Sequence, residues 1–80
     1  MKLPRDVTGE ELLRGQRRIG YVFERQADSH MILRSDSPRM HSVTVPNHKP
    51  LKVGTLPSIL HEVALQRSMS VEALIGEMKL

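Results

Sequence analysis

No cysteine stands among the 80 residues, and this most narrows what the chain can fold into. No disulfide can cross-link it, and no thiolate can hold a structural zinc. Short chains often lean on such links because they bury only a modest share of their surface. This one must be held by packed secondary structure, with room for a single core and a single domain over residues 1–80. Its two aromatic rings, Tyr21 and Phe23, leave that core to aliphatic side chains. Hydrophobic residues at 39% and charged residues at 26% are those of a folded soluble chain and argue against disorder. No apolar run approaches the roughly 18 residues of a membrane span, and Met1-Lys2-Leu3-Pro4-Arg5-Asp6 lacks the apolar stretch of a signal peptide. The cytoplasm is the expected compartment, with no membrane partner.

The first helix is signalled at both ends. Thr8 and Glu11 have capping-box spacing, and Val7 and Leu12 are placed to form a hydrophobic staple. Gly20 ends the helix as a left-handed cap. Leu12, Leu13, Gln16 and Ile19 mark its inner stripe, which leaves Arg14, Arg17 and Arg18 toward solvent. Gly15 either weakens the helix or lets another element approach closely.

After Gly20 the periodicity changes. Residues 21–26 read as a strand, Ala27-Asp28-Ser29 as a tight turn, and residues 30–34 as a second strand. Asp36-Ser37-Pro38-Arg39 is turn chemistry, followed by a third strand at 41–45. Loops this short imply an antiparallel meander. Val43 and Val45 want the core, and the expected pairing sets Arg34 near His41 and His30 near Val45. A slip of one residue would reverse what faces them. Two prolines and a glycine keep residues 46–54 irregular. Thr55 is then the expected cap of a second helix, with Leu56, Ile59, Leu60, Val63 and Ala64 at helical spacing and Pro57 tolerated in its first turn. Ser70 is placed to cap a short last helix, with Met69 and Leu74 as its staple. The order α-β-β-β-α, plus the small C-terminal helix, makes an α+β sandwich with helices on one face of a three-stranded antiparallel sheet.

The net charge of +3 is unevenly spread. Residues 14–52 hold eight basic side chains against Glu24, Asp28 and Asp36, a net of +5, while each flank is −1. A basic middle suits a phosphate-binding surface, although charges of this kind also simply keep small domains soluble.

Four histidines, His30, His41, His48 and His61, raise the question of a metal. The expected pairing separates His30 from His41 by about four residues, or roughly 13 Å, and no carboxylate or cysteine completes a ligand set, so no metal or other cofactor is expected. His61, between Leu60 and Val63, reads as a surface or packing residue. His30 differs: it stands where a tight turn enters a central strand, beside Ser29, in the basic segment. An imidazole exchanges a proton near neutral pH and, among cations, suits metal-free RNA cleavage. It would act on the 2′-hydroxyl proton or on that of the leaving oxygen. On composition alone, a histidine whose hydrogen bonds only stiffen the turn is the favoured reading.

Three blocks in order carry a resemblance. They are Thr8-Gly9-Glu10-Glu11-Leu12-Leu13 with Arg18-Ile19-Gly20-Tyr21, then Ser29-His30 with Ile32 and Leu33, then Val43-Thr44-Val45-Pro46 with His48, Lys52, Gly54-Thr55-Leu56 and Ile59-Leu60. Together the chain resembles HicA-family toxins, also called YcfA-like proteins, from residue 5 to about 75. The resemblance implies a double-stranded-RNA-binding-domain-like fold and the toxin of a toxin–antitoxin pair. It further implies ribosome-independent cleavage of mRNA with His30 at the catalytic position, and silencing by a HicB-like antitoxin. Ser29, Arg25, Lys49 and Lys52 are the residues expected to help hold RNA. Asp28 stands where the family usually has glycine, a position that suits positive φ or close approach of a phosphate. Aspartate can occupy that region, its charge opposes RNA, and its carboxylate is placed to reach His30.

Two further readings belong to other classes. One is a non-catalytic RNA-binding module that follows an A-form helix by shape. The other is a small partner-binding protein without nucleic acid, for which RNA affinity would be insensitive to salt.

Overall fold

The computed structural model describes residues 3–36 and 39–80. Met1 and Lys2, and Ser37 and Pro38 of the expected turn, lie outside the described residues. The elements run α1 (Gly9–Arg18), β1 (Val22–Ala27), β2 (His30–Ser35), β3 (His41–Pro46), α2 (Thr55–Gln66) and α3 (Val71–Met78). The strands form one antiparallel sheet in the order β1-β2-β3. The chain is therefore α+β in the expected α-β-β-β-α order with a short C-terminal helix, an arrangement consistent with a double-stranded-RNA-binding-domain-like fold. No described helix is long and apolar enough to cross a membrane.

The start of α1 forms as its sequence requires. The Glu11 N–H donates to the Thr8 hydroxyl over 3.1 Å, and the Thr8 N–H donates to the Glu11 carboxylate over 2.9 Å. The Thr8 N–H first, and the Thr8 side chain after it, hold the Glu11 carboxyl below the usual carboxylate range. Val7 and Leu12 are both buried over this end, as a staple needs. At the other end the Gly20 N–H bonds the Arg17 carbonyl and the Tyr21 N–H bonds the Gln16 carbonyl, with Gly20 at φ 103°. That is a Schellman ending, which glycine adopts without a Cβ penalty. Gly15 is where α3 comes close: a Cβ there would sit 3.1 Å from the Met78 side chain.

Sheet register follows burial. Leu33 lies opposite Val43 and Met31 opposite Val45, and all four are buried against the helices. His41 consequently pairs with Ser35 and His30 with Pro46, one residue away from the pairing expected between Arg34 and His41. The expected register would have set Leu33 and Met31 opposite Ser42 and Thr44, leaving Val43 and Val45 on the other face of the sheet. Burial of four apolar side chains on one face decides the matter. Leu12, Leu60, Val63, Leu74 and Met78 complete the core from the helices. Tyr21 joins it at 2% exposure, whereas Phe23 on the edge strand remains 42% exposed.

Two local expectations change. Gly54, not Thr55, is the N-cap of α2, and it supplies no side-chain cap; Thr55 is the first helical residue. The Thr55 N–H instead donates to the Lys52 carbonyl over 3.0 Å, so the turn before the helix satisfies it. Ser70 does cap α3, accepting from the Ala73 N–H at 3.1 Å. Gln16, placed on the inner stripe of α1, is wholly buried, and its amide finds no hydrogen-bond partner among the described residues.

Candidate functional site

The hairpin joining β1 and β2 turns through Asp28 and Ser29, and Asp28 takes φ 56°. This is the left-handed region that glycine enters freely and that aspartate enters at some cost. The Asp28 carbonyl accepts a 3.2 Å bond from the Gln26 side chain. Its carboxylate makes no hydrogen bond to His30 among the described residues, so it does not fix the imidazole tautomer there.

His30 opens the central strand, opposite Ala27 on one side and Pro46 on the other. Since Met31 and Leu33 face the helices, His30 and Ile32 face away from them, and the His30 ring is exposed. Arg25 pairs with Ile32 and so shares that outer face. It is the diagonal neighbour of His30, at a distance of about 7–8 Å between backbones, which an arginine side chain spans. Glu24 is the bulged residue beside it, at the irregularity between Phe23 and Arg25.

The loop after β3 closes this end of the molecule. The Asn47 N–H donates to the Ser29 carbonyl over 2.7 Å, which fixes loop to turn. The Gly9 N–H donates to the His48 carbonyl over 2.9 Å, and the Leu51 N–H to the Val7 carbonyl over 2.8 Å. Gly9 has no room for a side chain, because a Cβ would overlap the Pro46 carbonyl oxygen. The start of α1, the His30 turn and the loop thus form one backbone-bonded unit. Lys49 is exposed within this loop, three residues beyond the partner of His30. Lys52 lies farther along, past Leu51, where it borders a groove shared with Arg5 and the start of α2.

Charge pairing separates the cations. Arg14 bonds Glu10 at 3.0 Å, and Arg34 lies 3.5 Å from both Glu24 and Asp36. Arg25, Lys49 and Lys52 have no carboxylate partner among the described residues, which leaves them free for a phosphate. The structure therefore brings Ser29, His30 and Arg25 to one corner, sets Lys49 on the adjoining loop, and places Lys52 at its far end.

One cluster was invisible to sequence reasoning. The Tyr21 hydroxyl lies 2.8 Å from His41 Nδ1, and His41 Nε2 lies 3.0 Å from the Glu62 carboxylate. Burial raises the Tyr21 phenol above its usual range, opposed by Arg67 and helped by Glu62. These residues are some 20 apart in sequence, and no local spacing signals them. His41 stands at the opposite end of the sheet from His30, with no shared ligand geometry. His61 is exposed on α2.

No curated protein and no solved structure matches the chain. The family model for the HicA toxin of bacterial toxin–antitoxin systems matches residues 9–65, which takes in α1, the whole sheet, the His30 turn, the loop and nearly all of α2. The chain therefore belongs to the HicA toxin family, whose members are toxins of toxin–antitoxin pairs.

Proposed function

We propose that this toxin is a ribosome-independent mRNA interferase, a metal-independent endoribonuclease in which His30 transfers the proton. The observation that carries the reading is the exposed imidazole at the entrance to the central strand, on the same face as Arg25. RNA needs little more for cleavage. Its own 2′-oxygen attacks the adjacent phosphorus, the 5′-oxygen leaves, and a 2′,3′-cyclic phosphate remains. His30 would take the proton of the 2′-hydroxyl as base or supply one to the leaving oxygen as acid. Arg25, and Lys49 from the loop, would offset the charge gathering on the phosphorane. Lys52 would hold a phosphate farther along the strand, and Ser29 would set the turn that aims the ring. The partner is a HicB-like antitoxin, and the setting is the cytoplasm, where mRNA is available.

One residue favours a second reading, a non-catalytic RNA-binding module. Asp28 puts a negative charge two residues from His30, where a scissile phosphate would lie. The purified chain, incubated with a mixed-sequence RNA in EDTA and without ribosomes, separates the two. New cyclic-phosphate ends support the nuclease. Binding without cleavage supports the module. A complex recovered on co-expression with the neighbouring gene, with growth restored, supports the pairing with HicB.

A further inference from the structure

Past Lys49, the loop and the N-terminal segment enclose a groove of about 480 Å³ whose apolar walls include Leu3, Val7, Pro50, Val53, Leu56 and Pro57. Arg5, Asp6 and Lys52 are its charged lining. Val53 is 95% exposed, so a valine is kept in water at the edge of a site already apolar.

Its walls are aliphatic and prolyl. They offer no aromatic platform on which an unpaired base stacks. They suit an apolar side chain of a protein, the kind of anchor that carries most of the energy of an interface. Membership of a toxin–antitoxin family supplies the protein.

Geometry joins the groove to the candidate site. Leu51 is five residues beyond Pro46, the partner of His30, and five residues span at most about 17 Å. A standard interface covers about 800 Å² on each side, a patch roughly 30 Å across. The molecule measures 30 × 29 × 18 Å, so a partner seated over His30 reaches the groove without exceeding ordinary size. Lys49 and Lys52 lie along the way, and with Arg5 they outnumber Asp6, which favours an acidic surface around the anchor.

We propose that the antitoxin seats an apolar side chain, flanked by carboxylates, in the groove between residues 3–7 and the start of α2 while its body covers His30. The proposal rests on the toxin–antitoxin reading and does not require the nuclease one. Antitoxin affinity therefore tests it, with RNA cleavage as the second readout.

The probe is the antitoxin encoded beside this chain, titrated calorimetrically into wild type, Val53→Asp and Val53→Leu. The exposure of Val53 leaves the fold of both variants intact, which circular dichroism verifies. Val53→Asp should weaken binding at least tenfold and Val53→Leu less than threefold, with the kcat for RNA of both variants and the KM of Val53→Leu within twofold of wild type. Equal affinity of wild type and Val53→Asp overturns the proposal. A raised KM for RNA with unchanged antitoxin affinity overturns it as well and gives the groove to the nucleic acid. A wild-type chain that binds no antitoxin contradicts the pairing itself, an outcome distinct from loss in the variant alone.

Discussion

The N–H of Asn47 donates to the carbonyl of Ser29 across 2.7 Å, and this bond ties the loop after the third strand to the turn that presents His30. Because the next residue, His48, accepts from Gly9, the tie extends to the first turn of α1. The position of the imidazole is thus set by backbone bonds among three segments rather than by side-chain partners.

The turn itself is strained by its sequence. Asp28 occupies φ 56°, at a cost to a residue with a Cβ, and glycine removes that cost. Asp28→Gly should raise stability by about 0.5–1 kcal/mol in urea denaturation. It should also strengthen RNA binding a few-fold, because a carboxylate leaves the phosphate's neighbourhood. Lower stability of Asp28→Gly than of wild type would show that the aspartate holds the turn through a contact of its own.

Gly9 and Gly15 should respond differently to alanine. At Gly9 the obstacle is backbone, the Pro46 carbonyl, which has nowhere to move; at Gly15 the nearest atoms include the flexible end of Met78. Gly9→Ala should cost about 1–3 kcal/mol as an overpacked contact. Gly15→Ala should stay within about 1 kcal/mol, since the helix gains what the contact loses. Parallel denaturation curves of the two variants check the ordering.

Much of this architecture is legible in the sequence. The capping box at Thr8, the Schellman glycine at 20 and the serine cap at 70 act within a few residues, so their chemistry can be read locally. Gly15 is legible too, as a place of close approach, though the sequence does not say that Met78 is what approaches. Register is not local. It depends on which valines of β3 meet which apolar residues of β2, and the pairing of His30 with Pro46 rather than Val45 follows from that burial. The same holds for the site. The Ser29-His30 turn stands out in the chain, whereas the diagonal placement of Arg25 and the Tyr21–His41–Glu62 chain of bonds depend on strand pairing and helix packing.

Tyr21 is the single tyrosine, so its titration stands alone among phenols. Tyr21→Phe should cost about 1–2 kcal/mol, because it leaves the half-buried His41 Nδ1 without its partner. Burial raises the folded phenol above its unfolded value, so the folded state holds the proton longer. The stability this confers is complete below the unfolded value of about 10 and is lost as pH rises through the folded one. Thermal melts between neutral and strongly alkaline pH should therefore fall more steeply in wild type than in Tyr21→Phe.

Lys49 and Lys52 carry no carboxylate partner among the described residues, so their charge is available to RNA. Replacing each with alanine should weaken binding on all sequences and flatten the dependence of log affinity on log salt by about 0.7 to 1 per contact. An unchanged slope in the double variant would remove both from the interface.

The central claim rests on a single ring. His30 is exposed at the start of the strand and adds little apolar burial, so His30→Ala should keep the wild-type circular dichroism spectrum and melting curve. The direct measurement is cleavage of a mixed-sequence RNA in EDTA by wild type and His30→Ala at equal concentration. The account predicts cyclic-phosphate products from wild type and a rate at least 10²-fold lower from the variant, the lower end of about 10²–10⁴ for a positioned proton-transfer group. Equal rates from the two folded proteins, or cleavage by wild type that vanishes when EDTA is added, would contradict it.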